Sequence, residues 1–482
     1  MDNICRCFVV LVLTASLFIF PAGAGDLLIH GGTVVTAAGS LSASVRIRGE
    51  KILEVGALEI APGDDRVIDA SGLLILPGGV DPHVHLAPAT PAFPFVDDFE
   101  SGSRAALAGG ITTVGHMAFS FDDELPLATL ARAVNAIEAQ AIADVFVHTT
   151  ILEPSAAAIA QLPDLVAIGQ PSIKIFMPFE SFDSHLPGFL KLMQAAGSVG
   201  IRVAIHCEDA SIVSYATKAL VAEGKTSFNY YTQSRPIISE LVATQRAIAM
   251  AEITGASIYI VHLASARALE AVVRARARFP VTVETRPLYL HLNEALYRTA
   301  DGGLFVGMPP IRAESDRAAL WAGLENGSID TVASDHAPWT RQQKLAAEHT
   351  IASPRPGVNN LQFMLPMLFS EGVVGGRISL ERFVAVTAEN AAKLFGLYPR
   401  KGIIAPGSDA DLVIWDAAET RTIHDADTLS KSGFSIYAGT EVTGWPQVTI
   451  RRGEVVYEQG QVRATKSSGR LIARNPIEPN SR

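Results

Sequence analysis

The sequence predicts an α/β chain: a (β/α)8 barrel with a small all-β side domain formed by both ends of the chain. Three observations predict it. Eight apolar strand-like runs alternate with alanine- and leucine-rich helical segments through the middle of the sequence. Short β-type segments punctuated by glycine turns flank that region on both sides. Several of the eight runs also finish on histidine or aspartate, and parallel barrels carry their polar chemistry where the strands end.

The elements follow in chain order. Cys7 to Phe20 is almost wholly apolar but short for a membrane span, and Pro21 and the small residues Ala22-Gly23-Ala24 follow it. Residues 1–24 are therefore expected to be a secretory signal cut after Ala24, which places the mature chain in the periplasm or outside the cell. Asp2 offsets Arg6 in the n-region, so a cytoplasmic chain with a different start is the alternative. After cleavage no stable membrane anchor is expected. Residues 25–77 form the first part of the side domain, with strands in LLIHGGTVVT, SVRIRGEKILEVG and RVIDASGLLILPG. Residues 78–398 form the barrel, its strands near 79–85, 111–118, 145–150, 172–177, 202–208, 257–264, 281–287 and 330–336. An open doubly wound sheet is the alternative. No glycine-rich dinucleotide fingerprint follows any strand, and no P-loop occurs. Residues 399–460, with ADLVIWD and QVTIRRGEVVYEQG, return to the β texture and complete the side domain. Residues 461–482 are polar and turn-rich and are expected to be an arm that packs on a neighbour or stays loose.

Bulk composition narrows the function classes. Of the 482 residues 48% are hydrophobic and 18% charged, which describes a globular chain with a large core rather than a disordered one. The formal charge of −10, without a basic block, excludes a nucleic-acid partner. Cys5 and Cys7 lie in the leader, so a cleaved chain retains Cys207 alone and no internal disulfide is possible.

The chemistry lies at the strand ends. His83 and His85 are two apart on one strand and so face the same side. His206, His262 and Asp335 end three other strands. Imidazole and carboxylate suit Zn²⁺, Mn²⁺ or Fe²⁺. Lys174 lies within the apolar run Ser172–Met177. A buried ammonium loses proton affinity and becomes a neutral, nucleophilic amine. A snorkelling or ion-paired lysine is the other reading. Two ions sharing a hydroxide would provide a nucleophile near neutral pH, and Asp335 beside it would act as general base, or as a ligand only.

Asp81-Pro82-His83-Val84-His85, IKIFM, HCED at His206, VHLAS at His262, MPPIR at Met308 and SDHAP at Asp335 together resemble the cyclic amidohydrolases: dihydropyrimidinases, hydantoinases, allantoinases and dihydroorotases. The resemblance covers nearly the whole mature chain. It implies two divalent ions, zinc being usual. His83 and His85 would hold the first, His206 and His262 the second, N6-carboxylated Lys174 would bridge them, and Asp335 would complete the first site. It further implies opening of a C–N amide bond in a small cyclic amide or ureide, and a homodimer or homotetramer built through the side domain and the arm. The departures concern specificity. A tyrosine that stabilises the oxyanion in dihydropyrimidinase-type enzymes corresponds here to Phe179, which cannot donate a hydrogen bond. A serine corresponds to Met308 and an asparagine to Ser353, both largely main-chain contacts in the family. Arg286 replaces a small residue, and would meet either an anionic substrate group or a strand-end carboxylate. HCED and SDHAP are closer to allantoinase or dihydroorotase, so such an activity is the alternative to a hydantoinase-like one. A metal-free scaffold relative would lack ligands, and here all six positions are filled.

Overall fold

A computed structural model of the chain describes residues 26–86, 94–121 and 124–477. The expected leader, 1–24, lies outside the described residues. Among these residues no helix is long and apolar enough to cross a membrane.

The eight expected strands form one parallel sheet in sequential order: Gly79–Val84, Ile111–Ala118, Asp144–Thr150, Ser172–Phe176, Arg202–His206, Ser257–Ile260, Thr282–Thr285 and Thr331–Val332. Helices such as Phe99–Ala108, Pro126–Gln140 and Ile237–Thr254 fill the crossovers. The sheet closes on itself where Val84 of the first strand bridges His336, just past the eighth, and His85 N donates to His336 O at 2.7 Å. Most strands read as apolar runs because they are covered on both faces. Ile111–Ala118 and Asp144–Thr150, for example, are buried at every position.

The second sheet has nine strands and draws on both ends of the chain. Asp26–Thr36 pairs with Gly39–Arg48, Asp64–Asp69 and Leu74–Pro77. Leu74–Pro77 then pairs antiparallel with Leu412–Thr422, which continues into Glu441–Arg451 and Glu454–Glu458. Its core comprises Ile29, Val45, Ile47, Ile75, Leu412, Ile414 and Ile450. The two sheets are joined beneath the barrel by buried charges. Lys401 Nζ lies 2.8 Å from Asp144 at the start of the third barrel strand and 2.6 Å from Asp411 beside the second sheet, and Arg452 Nε lies 3.1 Å from Asp144.

The C-terminal segment departs from the expected arm. Residues 469–477 run beneath the barrel of their own chain. Ile472 N donates to Val145 O, Arg474 N to Gly169 O, Asn475 N to Gly396 O and Ile477 N to Gly200 O. Polar composition suggested a loose tail, but the segment's backbone groups bond the loops that precede the barrel strands. Arg474 Nη2 donates to Val147 O at 2.9 Å and to Ser172 Oγ at 2.8 Å, so one of the segment's two arginines is itself buried and bonded.

Candidate metal centre and active-site cavity

All six expected ligands are buried at the C-terminal mouth of the barrel. His83, His85 and Asp335 converge, with one ligand atom from each within 4.8 Å of the others. Asp335 Oδ1 lies 3.1 Å from His83 Nε2 and 2.9 Å from His85 Nε2. The second pair lies alongside. The rings of His206 and His262 meet edge to face with centroids 4.3 Å apart, and His83 and His262 are 5.6 Å apart. His262 and Asp335 have φ of 40° and 45°, the left-handed region that side chains rarely adopt. The chain turns off its strand at both residues, a local strain of order 1–3 kcal/mol each that the surrounding packing sustains.

Carboxylates behind the ligands fix their orientation. Glu284, on the seventh strand, lies 2.8 Å from His83 Nδ1 and accepts from His262 N at 2.9 Å and from Tyr259 Oη at 2.9 Å. Glu208 lies 2.8 Å from His206 Nε2, which leaves Nδ1 as the ring's remaining donor atom. Arg235 grips Glu208 with two bonds of 3.0 and 2.8 Å. Burial would raise the Glu208 carboxyl, but Arg235 and His206 hold it down at about 2. Arg235 thus pairs with Glu208 and not with Glu240, the nearest acidic residue on its own segment, which accepts from Ala264 N. Asp81 accepts from His83 N and Ser334 N, tying the first strand to the end of the eighth. His336, next to Asp335, pairs with Asp97 at 2.8 Å. Asp97 is fully buried and also accepts from Ser430 Oγ and Lys431 N. The helix cap is Asp98.

The protonation states suit metal binding. Burial lowers His85 to about 4 and holds His206 and His262 below the usual imidazole range, so these rings are neutral donors. Asp335 is held well below the usual carboxylate range; burial opposes this, but Arg286, His83 and His85 outweigh it. Lys174 is fully buried, its Nζ has no hydrogen-bond partner, and burial lowers it to about 8 against the charges of Glu284, Asp335 and Cys207. Its Nζ lies 5.0 Å from the centroid of the Phe176 ring on the cavity wall, and its charge helps to lower His262, His206 and His85. His85 Nδ1 and His262 Nδ1 also lack partners. A donor set of imidazoles, one carboxylate and an unpaired buried amine fits divalent ions of the zinc type.

Above the cluster lies a cavity of about 820 Å³, open to solvent. Phe179, Arg286 and Met308 line it, as expected. Ser353 does not. It is exposed, bonds Glu348 O, and borders a separate depression, while the neighbouring Pro354 reaches the cavity. One wall is aromatic: His85, Phe119, Phe176 and Phe179 stack in sequence with centroids 5.4, 5.4 and 5.3 Å apart. Arg286, also in the cavity lining, pairs with Asp335 Oδ2 at 3.0 Å. Of the two partners expected for it, the strand-end carboxylate is therefore in place. Sequence reading passed over Glu284. The signal was an isolated carboxylate in the apolar strand VTVET, the same anomaly that singled out Lys174.

Three comparisons bear on this arrangement. The amidohydrolase family pattern matches residues 74–456. A D-hydantoinase of Ralstonia pickettii is 34% identical over 458 residues, spanning 93% of this chain and 99% of the relative. A D-phenylhydantoinase of Escherichia coli O1:K1 is 34% identical over 457 residues, spanning 94% and 99%. The solved structure of a dihydropyrimidinase from Brevibacillus agri superposes with a TM-score of 0.89 at 33% identity, covering 94% of this chain and 99% of that one.

Proposed function

The chain belongs to the amidohydrolase family, and on that premise we propose that it is a metal-dependent hydrolase opening the C–N amide bond of a cyclic amide or ureide of the hydantoin or dihydropyrimidine type. One observation carries the reading: four histidines and an aspartate at the ends of four strands line an aromatic cavity above a buried lysine that makes no hydrogen bond. His83, His85 and Asp335 would hold one divalent ion and His206 and His262 a second, zinc being the choice the donor set favours. The neutral Lys174 amine would add CO₂, releasing a proton, and the resulting carbamate would offer an oxygen to each ion. Ions so held polarise the amide carbonyl and acidify water.

The chain's own residues do the rest. Asp335 takes the proton from the attacking water and passes it to the leaving nitrogen, so the ring opens without releasing an unstabilised amide anion. Glu284 and Glu208 hold His83 and His206 in the orientation that presents the remaining ring nitrogen. The Phe119–Phe176–Phe179 stack accommodates an apolar ring face and keeps bulk water off the reacting amide. A turnover screen of metal-loaded protein against hydantoins, dihydrouracil, allantoin and dihydroorotate tests the proposal. Opening of none of these rings by protein that carries its metal overturns it.

Phe179 motivates a specificity prediction. It lines the cavity without a donor, so the developing oxyanion must rest on other groups. Phe179→Tyr is expected to raise kcat on dihydrouracil or hydantoin by up to about a hundredfold, the scale of one oxyanion donor, and to leave the preferred substrate unimproved. Dihydrouracil turnover that is already fast in the wild type and unchanged in the variant would show that Phe179 does not select.

The exported location, periplasmic or secreted, is part of the proposal and rests on the leader alone. N-terminal sequencing of protein from its native host is expected to begin at Gly25-Asp26-Leu27, and an intact Met1 in a cytoplasmic fraction would refute it.

A further inference from the structure

Lys344 is buried, and the proposed mechanism gives it no task. It ends the short helix Arg341–Lys344, and its Nζ donates to three main-chain carbonyls: Val306 O at 2.7 Å, Arg355 O at 2.7 Å and Gly357 O at 2.8 Å. Among the described residues no carboxylate offsets its charge. Burial and the like charges of Arg286 and Arg355 hold it well below the usual lysine range. The three carbonyls work the other way. A neutral amine has two N–H groups and a lone pair, whereas three acceptors need the three donors of an ammonium. A buried cation without a counter-charge is a costly way to fill space, and an apolar side chain would fill it more cheaply. What the ammonium contributes is geometry.

The three carbonyls belong to two loops that wall the cavity. Val306 precedes Gly307 and the lining residue Met308, while Arg355 and Gly357 flank the lining residue Pro356. Val306 O also accepts from Gly357 N at 3.0 Å, so the two loops meet at the lysine. Trp339 Nε1 holds the second loop too, donating to Pro356 O at 2.7 Å. That loop is joined to the strand end that carries Asp335. Ala337 N donates to Val358 O at 3.0 Å, and Val358 bridges His336. Gly357 has a φ of 116°, and a Cβ there would strike Ala337 O, so the loop has no slack against that strand end. All of these bonds form within the protein, so the wall is set before a substrate enters.

We propose that Lys344 is a positioning residue for substrate: its ammonium ties the 306–308 loop to the 354–357 loop and so sets the shape of the cavity beside the metal centre. The role rests on the proposed function, because it presumes that a ring is held in that cavity for hydrolysis. Without the ammonium, Arg355 O and Gly357 O lose their partner and face Val306 O, and buried carbonyl dipoles that share no donor repel one another. The loops then part, and the wall no longer meets the ring at one place. The lysine's three bonds reach neither a candidate ligand nor Asp335, and the bonds of Ala337 and His336 to Val358 do not involve it. Metal binding and proton transfer are therefore expected to survive its loss. The ring is held less well in the ground state and the transition state alike, and such a loss appears in KM rather than in kcat.

The probe is whichever of hydantoin, dihydrouracil, allantoin and dihydroorotate the metal-loaded wild type opens fastest. Lys344→Met, which keeps the apolar stem but no donor, is expected to raise KM for that ring by about ten- to a hundredfold, the scale of a slightly misplaced positioning group, with kcat within about threefold. Lys344→Gln, which retains two N–H donors, should show a smaller rise. Metal content and thermal melting are measured on each protein. A lysine that only stabilises the fold would, when replaced, lower the folded, metal-loaded fraction, so kcat would fall with that fraction and KM would not move. That result, or a Lys344→Met enzyme with KM and kcat both unaltered, overturns the role of Lys344 while leaving the hydrolase reading intact. A metal-loaded wild type that opens none of the four rings overturns the hydrolase reading and this inference with it. If neither variant folds, hydrogen exchange on the wild type decides. The Gly357 amide should be protected as the barrel strands are, and exchange as fast as that of the exposed Ala347 and Glu348 overturns the clamp.

Discussion

Lys174→Ala is expected to remove both catalysis and metal while leaving the fold in place. Lys174 Nζ has no hydrogen-bond partner, so alanine breaks no hydrogen bond and gives up only the contact of the amine with the Phe176 ring, 5.0 Å from its centroid. What disappears is the amine that would become the bridging carbamate. Removing one group aimed at developing charge already costs about 10²–10³ in turnover. Loss of a bridge shared by two ions should exceed that, with a fall of more than about a thousandfold. Elemental analysis of protein purified without chelator should find close to two divalent ions per wild-type chain and clearly fewer in the variant. Short carboxylic acids should restore part of the activity by supplying the missing oxygens, and the far-UV spectrum should not change. Full activity and full metal content in Lys174→Ala would sink the two-ion centre.

The second large effect concerns Asp335, which does two things at once. Its Oδ1 faces His83 and His85, and its Oδ2 balances the fully buried Arg286. In Asp335→Asn, turnover should fall by about 10³–10⁴, toward the upper end of what proton transfer by a positioned side chain contributes. Stability should fall too, because a guanidinium stranded in the interior without its counter-charge costs about 3–5 kcal/mol. Adding Arg286→Met to Asp335→Asn should restore most of the stability and none of the turnover. Denaturant melts and kcat measured side by side separate the two roles. A single variant that loses turnover but keeps full stability would show that Arg286 does not depend on Asp335.

All eight barrel strands, and all six ligand candidates on them, were legible in the sequence for a physical reason. Strands covered on both faces read as apolar runs, and a histidine or lysine inside such a run stands out. What was not legible depended on contacts between distant segments. Asp97 is one of three acids between positions 97 and 100, and nothing local distinguishes it, yet it lies buried against His336, 239 positions away in sequence. Glu240 stands only five positions after Arg235, yet two bonds commit Arg235 to Glu208, 27 positions before it. Residues 469–477 looked like a loose arm because polarity says nothing about which backbone groups a segment will meet. Ser353 was placed by motif spacing in a loop, where spacing carries little geometric information, and it falls outside the cavity. Phe179, Arg286 and Met308 sit beside strand ends or motif prolines, and they fell inside.

The pairing of Leu74–Pro77 with Leu412–Thr422 has a consequence for how the chain is made. Ribosomes deliver about 5–20 residues per second. The early strand therefore emerges on the order of half a minute before its partner exists. During that interval the apolar edge of Leu74, Ile75 and Leu76 stands open, a template for stray strand addition. The barrel grows in the meantime as a long insertion inside a half-built sheet. Chains truncated before residue 412 should therefore bind holdase chaperones strongly in whichever compartment they fold, and chains that include Leu412–Thr422 should be released.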